Sequence, residues 1–115
     1  MSLDDPSTFL PLKPAHYLIL LALAEGDLHG YAIKKEVARR TEGRVRLGAG
    51  SLYRSLGQLE DDGLVAESEW RPREALDDDR RRYLCLTPRG RAVAAAETER
   101  LARLIDGARA LGIAP

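Results

Sequence analysis

One short segment, GAGSLYRSLGQLEDDGLV at residues 48–65, carries the clearest structural pattern in the chain. Leu52, Leu56 and Leu59 recur at helical spacing and therefore fall on one face of a helix. A helix of about a dozen residues gains little from intrinsic propensity, so the leucine face must pack against other elements. The opposite face is left for solvent or for a partner.

That opposite face is polar, and its groups can hydrogen-bond to nucleic acid. Ser51, Arg54 and Gln58 gather there, and hydroxyl, guanidinium and amide groups are those that contact base edges and phosphates. Solubility alone also places such residues on helix surfaces, so the neighbouring segments must decide between the two interpretations. Ser51 is predicted to cap the start of the helix, and Gly63 is predicted to end it.

The composition indicates one helix-rich domain without a strong global charge. The chain has 115 residues, with 18 basic and 18 acidic side chains. Cys85 is the only cysteine, which excludes an internal disulfide and favours a reducing, cytoplasmic setting. The longest apolar run, residues 17–24, is too short to span a bilayer, so no membrane partner is expected.

Two helices are predicted before the central segment. Residues 1–13 are interpreted as an extended tail whose apolar end packs locally. Pro14 fits the first turn of a buried helix that extends to about Glu25. A second helix is predicted for residues 30–40, and its inner face is expected to hold Tyr31, Ile33, Val37 and Ala38.

The second helix and the connector after it are locally basic. Residues 34–46 include six basic side chains and two acidic ones, although solvated charges on a helix are ordinary. The glycine-bearing connector, residues 43–50, then leads to the central helix, which makes a helix-turn-helix pair with a longer turn than the tightest form. We expect the DNA phosphates to contact Lys34, Lys35, Arg44 and Arg46.

A β-hairpin is predicted after the central helix. Residues 64–70 and 80–87 alternate as strands do, and the polar loop 71–79 joins them. A hairpin after a helix-turn-helix is a wing, so its arginines could touch the DNA backbone, although the aspartates at 77–79 oppose this. The candidate contacts are Arg80 and Arg81, with Arg71, Arg73 and Arg82 as further possibilities.

A long helix is predicted to close the chain. Thr87 and Pro88 make a strong helix start, and the helix should run to about residue 111. Its apolar residues form more surface than a projecting helix can leave wet, so it either folds back on its own domain or pairs across a two-fold axis. The candidate dimer residues are Val93, Leu101, Leu104, Ile105, Ala108 and Leu111.

With this order of elements, the chain resembles the PadR family of winged-helix transcriptional regulators, specifically its short members. The resemblance is carried by LILLALAEGDLHGYAI (18–33), GSLYRSLGQLEDDGLV (50–65), RRYLCLTPRGR (81–91) and the leucine-bearing last helix. It implies a dimer whose third helix enters the major groove with Ser51, Tyr53 and Arg54 at the DNA. Family members usually have proline where this chain has Ala49, a departure that should loosen the start of the helix but leave its role intact.

No enzyme chemistry is predicted. Cys85 lies in an apolar strand and is most simply a small buried hydrophobe, while His16 and His29 lack the spacing of metal ligands. The segment GAGS lacks the rest of a phosphate loop. No cofactor or metal is therefore expected. Trp70 could stack on a flat aromatic effector, against the simpler alternative of a packing role.

The predicted fold is mostly α with a small β-hairpin, a winged helix-turn-helix followed by a long C-terminal dimerisation helix. The predicted domains are a tail (1–13), a DNA-binding domain (14–86) and a dimerisation helix (87–115). The predicted function is a homodimeric repressor on an inverted-repeat DNA operator, released by a small-molecule effector. The alternative is a winged-helix module that binds only protein.

Overall fold

The computed structural model describes residues 5–70 and 81–115 of the chain. These residues form a mostly helical fold with a small antiparallel sheet, as predicted from the sequence. The elements are a 3-10 turn Pro6–Phe9, α1 Pro14–Leu23, β1 Leu28–His29, α2 Gly30–Arg40, α3 Ala49–Asp61, β2 Val65–Ser68, β3 Tyr83–Leu86 and α4 Pro88–Ala110.

The core forms where α1 meets the leucine face of α3. Ile19 and Leu20 of α1 are fully buried, and the predicted inner face of α3 is buried as well. Burying one leucine side chain stabilises a fold by roughly 1.5 to 3 kcal/mol, so three of them suffice to dock a short helix. The periodicity of Leu52, Leu56 and Leu59 is therefore confirmed as a core pattern.

The ends of α3 differ in part from prediction. The helix begins at Ala49 with Gly48 as its N-cap, so the prediction that Ser51 is the capping residue was wrong. Ser51 lies inside the first turn, where its hydroxyl donates to the Gly48 carbonyl at 3.1 Å. Gly63 ends the helix as predicted, with φ +74°, a conformation that favours glycine.

Helix α2 spans the predicted residues but exposes one side chain expected in the core. Ile33 and Val37 are fully buried, whereas Tyr31 is 64% exposed. Residues two apart on a helix point to nearly opposite sides, so Tyr31 cannot share a face with Ile33. The helix start is capped by His29, whose Nδ1 accepts from the Ala32 N–H at 3.3 Å.

The predicted hairpin is present, and a third strand joins it. Strands β2 and β3 pair antiparallel, from Val65 opposite Leu86 to Ser68 opposite Tyr83. The two-residue strand β1 pairs with the other edge of β3, giving the order β1-β3-β2. Sequence reasoning missed β1 because two residues are too few for an alternating pattern. The predicted loop, residues 71–79, lies outside the described residues.

The first half of α4 belongs to the core. Thr87 caps the helix as predicted, with its hydroxyl accepting from the Gly90 N–H at 2.9 Å. Val93 is fully buried against its own domain, so its prediction as a dimer contact was wrong. The apolar stripe of α4 is therefore buried in the core at Val93 and is exposed to solvent farther along the helix.

The N-terminal segment packs against α4 rather than forming only an extended tail. Residues 6–9 form the 3-10 turn, and Phe9 and Leu12 are partly buried against the core. The Leu12 N–H donates to Glu97 Oε2 at 2.8 Å. The predicted domain boundaries at 13/14 and 86/87 stay a prediction. The 3-10 turn before the first boundary and α1 after it both pack against α4, which follows the second boundary.

Beyond Glu97 the exposed fraction of α4 rises sharply. Leu101 and Ala108 are half-buried, and Leu104, Ile105 and Leu111 are exposed. The helix therefore folds back on its own domain over its first half and leaves an apolar stripe uncovered over its second half.

Candidate nucleic-acid interface

The N-terminal half of α3 presents two large side chains to solvent. Tyr53 is 63% exposed and Arg54 is also exposed, because the buried leucines fix the opposite side of the helix inward. The Tyr53 ring leans toward the start of α2, where a Cβ built on Gly30 would lie 3.3 Å from the Tyr53 hydroxyl oxygen. Within the described residues Arg54 has no ion pair, so its guanidinium is available to a ligand.

The C-terminal half of α3 is less suited to contact DNA. Gln58 is exposed but hydrogen-bonds toward His16 of α1, about two turns from Ser51. Burial lowers the pKa of His16, and the nearby Lys13 ammonium acts in the same direction. The last turn is also acidic and would repel phosphates; its residues are Glu60, Asp61 and Asp62.

The predicted phosphate contacts lie on α2 and on the connector before α3, and three of them line a cleft beside the start of that helix. Lys34 and Lys35 are on α2, and Arg44 and Arg46 are on the connector. Within residues 5–70 and 81–115, no carboxylate lies within 4 Å of any of these four cations. A cleft of about 410 Å³ between α2 and the start of α3 is lined by Tyr31, Lys34, Lys35 and Arg46, among others.

The remaining arginines of this basic segment are neutralised locally. Arg39 pairs with Glu36, and Arg40 pairs with Glu36 at 3.0 Å and with Glu25 at 2.8 Å. The local surplus of positive charge is therefore concentrated in the four unpaired cations.

The wing arginines separate into two groups. Arg81 lines a cleft of about 230 Å³ together with His29, Tyr31 and Tyr53. Arg82 instead pairs with Glu60 of α3 at 3.0 Å and with Glu67 of β2 at 3.3 Å. Arg80 lies outside the described residues, as do Arg71 and Arg73.

Trp70 has the packing role that the simpler interpretation expected, while one part of its surface stays open. Its ring meets Tyr83 edge-to-face, with centroids 5.5 Å apart, and its side chain is 52% exposed. His29 packs on the same tyrosine at 5.3 Å, in addition to capping α2.

The described residues show no cluster that would support metal chemistry. Among them, no group of three or more His, Cys, Asp and Glu side chains is placed to hold a metal ion. Cys85 is a half-buried free thiol, more exposed than predicted. In the same part of the chain, no helix has the length and apolar character needed to cross a membrane.

The arrangement defines a class of protein. A helix-turn-helix whose second helix exposes Tyr53 and Arg54, followed by an antiparallel hairpin, is the winged helix-turn-helix of DNA-binding regulators. The chain belongs to the transcriptional regulator PadR-like family, whose sequence profile matches residues 19–96. Members of this family are DNA-binding transcriptional regulators and not enzymes.

Individual relatives agree with this family. An uncharacterized 37.1 kDa protein in transposon TN4556 of Streptomyces fradiae is 46% identical over 90 residues. That match covers 78% of this chain but only 24% of the relative, so the chain spans about a quarter of the longer protein.

Two solved structures share the fold. The RosR protein of H. salinarum, in its hsRosR-S4 complex, superposes with a TM-score of 0.70 at 26% identity, covering 88% of this chain and 81% of RosR. A PadR family transcription regulator from Clostridium difficile superposes with a TM-score of 0.71 at 22% identity, covering 86% of this chain and 98% of that one.

Proposed function

We propose that the chain is a sequence-specific repressor that binds an inverted-repeat DNA operator as a homodimer in the cytoplasm. The observation that carries the proposal is the exposed start of α3, where Tyr53 and Arg54 face solvent and a cleft lined by Lys34, Lys35 and Arg46 lies alongside. An exposed helix with this composition fits the major groove, which admits one α-helix.

Base reading falls mainly to Arg54. It lies near the middle of the face opposite the leucines, and a guanidinium can donate two parallel hydrogen bonds to O6 and N7 of guanine. Ser51 and Tyr53 flank it on the same half of the helix and are placed to contact the adjacent backbone or base edges. Among the predicted reading residues, Gln58 lies farthest from the start of α3, so we propose that it contacts the DNA only at the edge of the interface.

Phosphate binding falls to the unpaired cations. Their charge is not cancelled locally, so each can release counterions from the DNA when it contacts a phosphate. Arg81, which lines a cleft with Tyr53, is proposed to add a contact to the DNA backbone, and Arg80 is proposed as a further contact from the sequence alone. The balanced charge of the whole chain does not oppose this binding, because charges farther than about 8 to 10 Å are screened at physiological salt.

Dimerisation falls to the second half of α4. A single short reading helix makes too few base contacts to specify one genomic site, whereas a two-fold pair presents two helices about one turn of DNA apart. The uncovered stripe provides an apolar surface for such pairing, through Leu101, Leu104, Ile105, Ala108 and Leu111.

A flat aromatic effector is proposed to act at Trp70. The half-exposed indole, fixed on one side by Tyr83, offers a surface for stacking close to the hairpin. Trp70 is the only tryptophan, so quenching of intrinsic fluorescence reports directly on binding at this position. Quenching by an aromatic compound that also weakens DNA binding would support the effector role.

The repressor proposal is tested with DNA from upstream of the gene for this chain. Fluorescence anisotropy should show binding to one segment at least about 10³-fold tighter than to a scrambled duplex at the same salt concentration. A reporter controlled by that segment should then fall when the protein is expressed.

The alternative is a winged-helix module that binds only protein, which would use the same leucine-backed helix without needing the unpaired cations. Equal, weak binding to every duplex would favour this alternative. An increase in reporter output on specific binding would instead identify an activator.

A further inference from the structure

Tyr31 occupies an unusual place for a large aromatic residue. It is the second residue of α2 and is mostly exposed, although Ile33 and Val37 bury the rest of the apolar face of that helix. Tyr31 lines two clefts, one together with Tyr53 and Arg81 and the other together with Lys34, Lys35 and Arg46. Its exposure therefore coincides with the proposed DNA surface.

The polar groups around Tyr31 point to an anionic ligand. The Lys35 ammonium lies over the Tyr31 ring at 5.4 Å from its centroid, a cation–π contact that keeps the charge beside the ring. The Tyr31 hydroxyl has no hydrogen-bond partner among residues 5–70 and 81–115. A phosphate diester carries one negative charge and accepts hydrogen bonds, so it suits a hydroxyl donor and an ammonium group that lie next to each other.

We propose that Tyr31 and Lys35 together bind one backbone phosphate of the DNA, at the edge of the groove that α3 enters. The hydroxyl donates to a phosphate oxygen, and the ammonium supplies the charge. Such a contact fixes the angle of α3 on the duplex but does not read sequence. The inference rests on the proposed function, because it assigns a further residue to the same interface.

The first test removes only the hydroxyl. Tyr31→Phe should weaken binding about tenfold to operator and scrambled DNA alike, because a hydrogen bond to a charged group is lost. Since no charge changes, the dependence of affinity on salt should stay the same. Lys35→Ala should instead make the negative slope of log affinity against log salt shallower by about 0.9. Tyr17→Phe is the matched control, since that hydroxyl is hydrogen-bonded to Thr98 of α4 at 2.7 Å.

The second test locates the phosphate. Each backbone phosphate of the operator is replaced in turn by a neutral methylphosphonate. The wild type and Tyr31→Phe are then titrated with each duplex. At one position per half-site, the replacement should cost the wild type about tenfold and cost Tyr31→Phe much less. Additive losses at every position would overturn the proposal.

Two further results would overturn it, and both leave the repressor proposal standing. One is unchanged affinity of Tyr31→Phe for DNA that the wild type binds specifically. The other is an altered base preference in Tyr31→Phe, which would show that Tyr31 reads a base. Failure of the wild type to bind any duplex would overturn the proposed function together with this inference.

Discussion

The backbone of Gly90 in α4 lies directly against the carbonyl group of Leu64, just before β2. A Cβ built on Gly90 would sit 2.0 Å from the Leu64 oxygen and 2.8 Å from Leu86 Cδ1. The Leu64 oxygen also accepts from the Thr87 N–H at 3.2 Å. The docking of α4 on the winged helix therefore depends on the absence of a side chain at this position.

Gly90→Ala should destabilise the protein strongly, because the clash involves backbone that cannot rotate away. We expect a loss of about 3 kcal/mol in the free energy of unfolding, the upper end of the cost of overpacking. Urea unfolding followed by circular dichroism measures this. The control is Gly57→Ala in α3, where a Cβ meets nothing within 4 Å and helix propensity should add about 1 kcal/mol. Equal midpoints for Gly90→Ala and the wild type would contradict the close packing.

Arg54→Ala should lose affinity for the operator by about 1 to 3 kcal/mol and relax specificity at one base position, if Arg54 pairs with a guanine. Anisotropy against a set of single-base operator variants measures both effects. The control is Arg91→Ala, which removes the same charge from α4, where the guanidinium bonds the Ala24 carbonyl at 3.2 Å. Unchanged operator affinity in a folded Arg54→Ala protein would refute this assignment.

Arg44→Ala should weaken binding to all DNA sequences alike, because one phosphate contact is lost. The negative slope of log affinity against log salt should become shallower by about 0.9. The same result is expected for Lys34 and Arg46. Arg39→Ala is the comparison, since Arg39 already pairs with Glu36 and should contribute less. A loss confined to the operator, with normal affinity for scrambled DNA, would show that Arg44 reads bases.

Glu97→Gln should destabilise the protein in a pH-dependent way. The Glu97 carboxylate is 1% exposed and accepts from Arg100 and from the Leu12 N–H. Arg100 holds the pKa of the Glu97 carboxyl below its usual range, and the Leu12 N–H adds to this while burial opposes it. A carboxyl with a lowered pKa stabilises the fold above its unfolded pKa, and this stabilisation is lost as pH falls through the folded pKa.

At pH 7 the variant should therefore unfold with about 1 to 3 kcal/mol less free energy than the wild type. The difference should narrow as the pH falls below 4.5, the ordinary pKa of glutamate. Urea unfolding at one protein concentration measures it, with Glu99→Gln as the exposed control, since Glu99 pairs with Arg103 at the surface. A difference that stays constant from pH 7 to pH 3 would contradict the role of the charge.

Much of the fold could be predicted because short sequence patterns determine the helices and their ends. The spacing of Leu52, Leu56 and Leu59 is a periodic signal that survives in the structure, and Thr87 caps α4 as its residue type indicates. The phosphate-binding candidates were chosen by counting charges, and their role stays a prediction. The structure adds which cations are paired, a property of side-chain distances that a count does not contain.

The rest depended on contacts between distant segments. Tyr31 was assigned inward because it is apolar, although its angle on the helix places it opposite Ile33. Val93 and Leu104 belong to one apolar pattern, yet only packing against α1 and the N-terminal segment divides it into a buried and an exposed half. The close approach of Gly90 to Leu64 has no local signal, because it joins residues 26 positions apart.

Replacing Leu104 and Ile105 together by Asp should separate the proposed dimer. Both side chains are exposed in the single chain, so the change should leave the winged helix folded, but pairing would bury two charges against an apolar partner at a cost of several kcal/mol. Sedimentation velocity should show the mass halving, and affinity for the inverted repeat should fall toward that for a single half-site. The control is Ala92→Asp with Ala110→Asp, which adds the same charge at two exposed positions on the opposite face of α4 and should remain dimeric. A wild-type protein that sediments as a monomer, or a Leu104→Asp/Ile105→Asp variant that sediments as a dimer, would place the interface elsewhere.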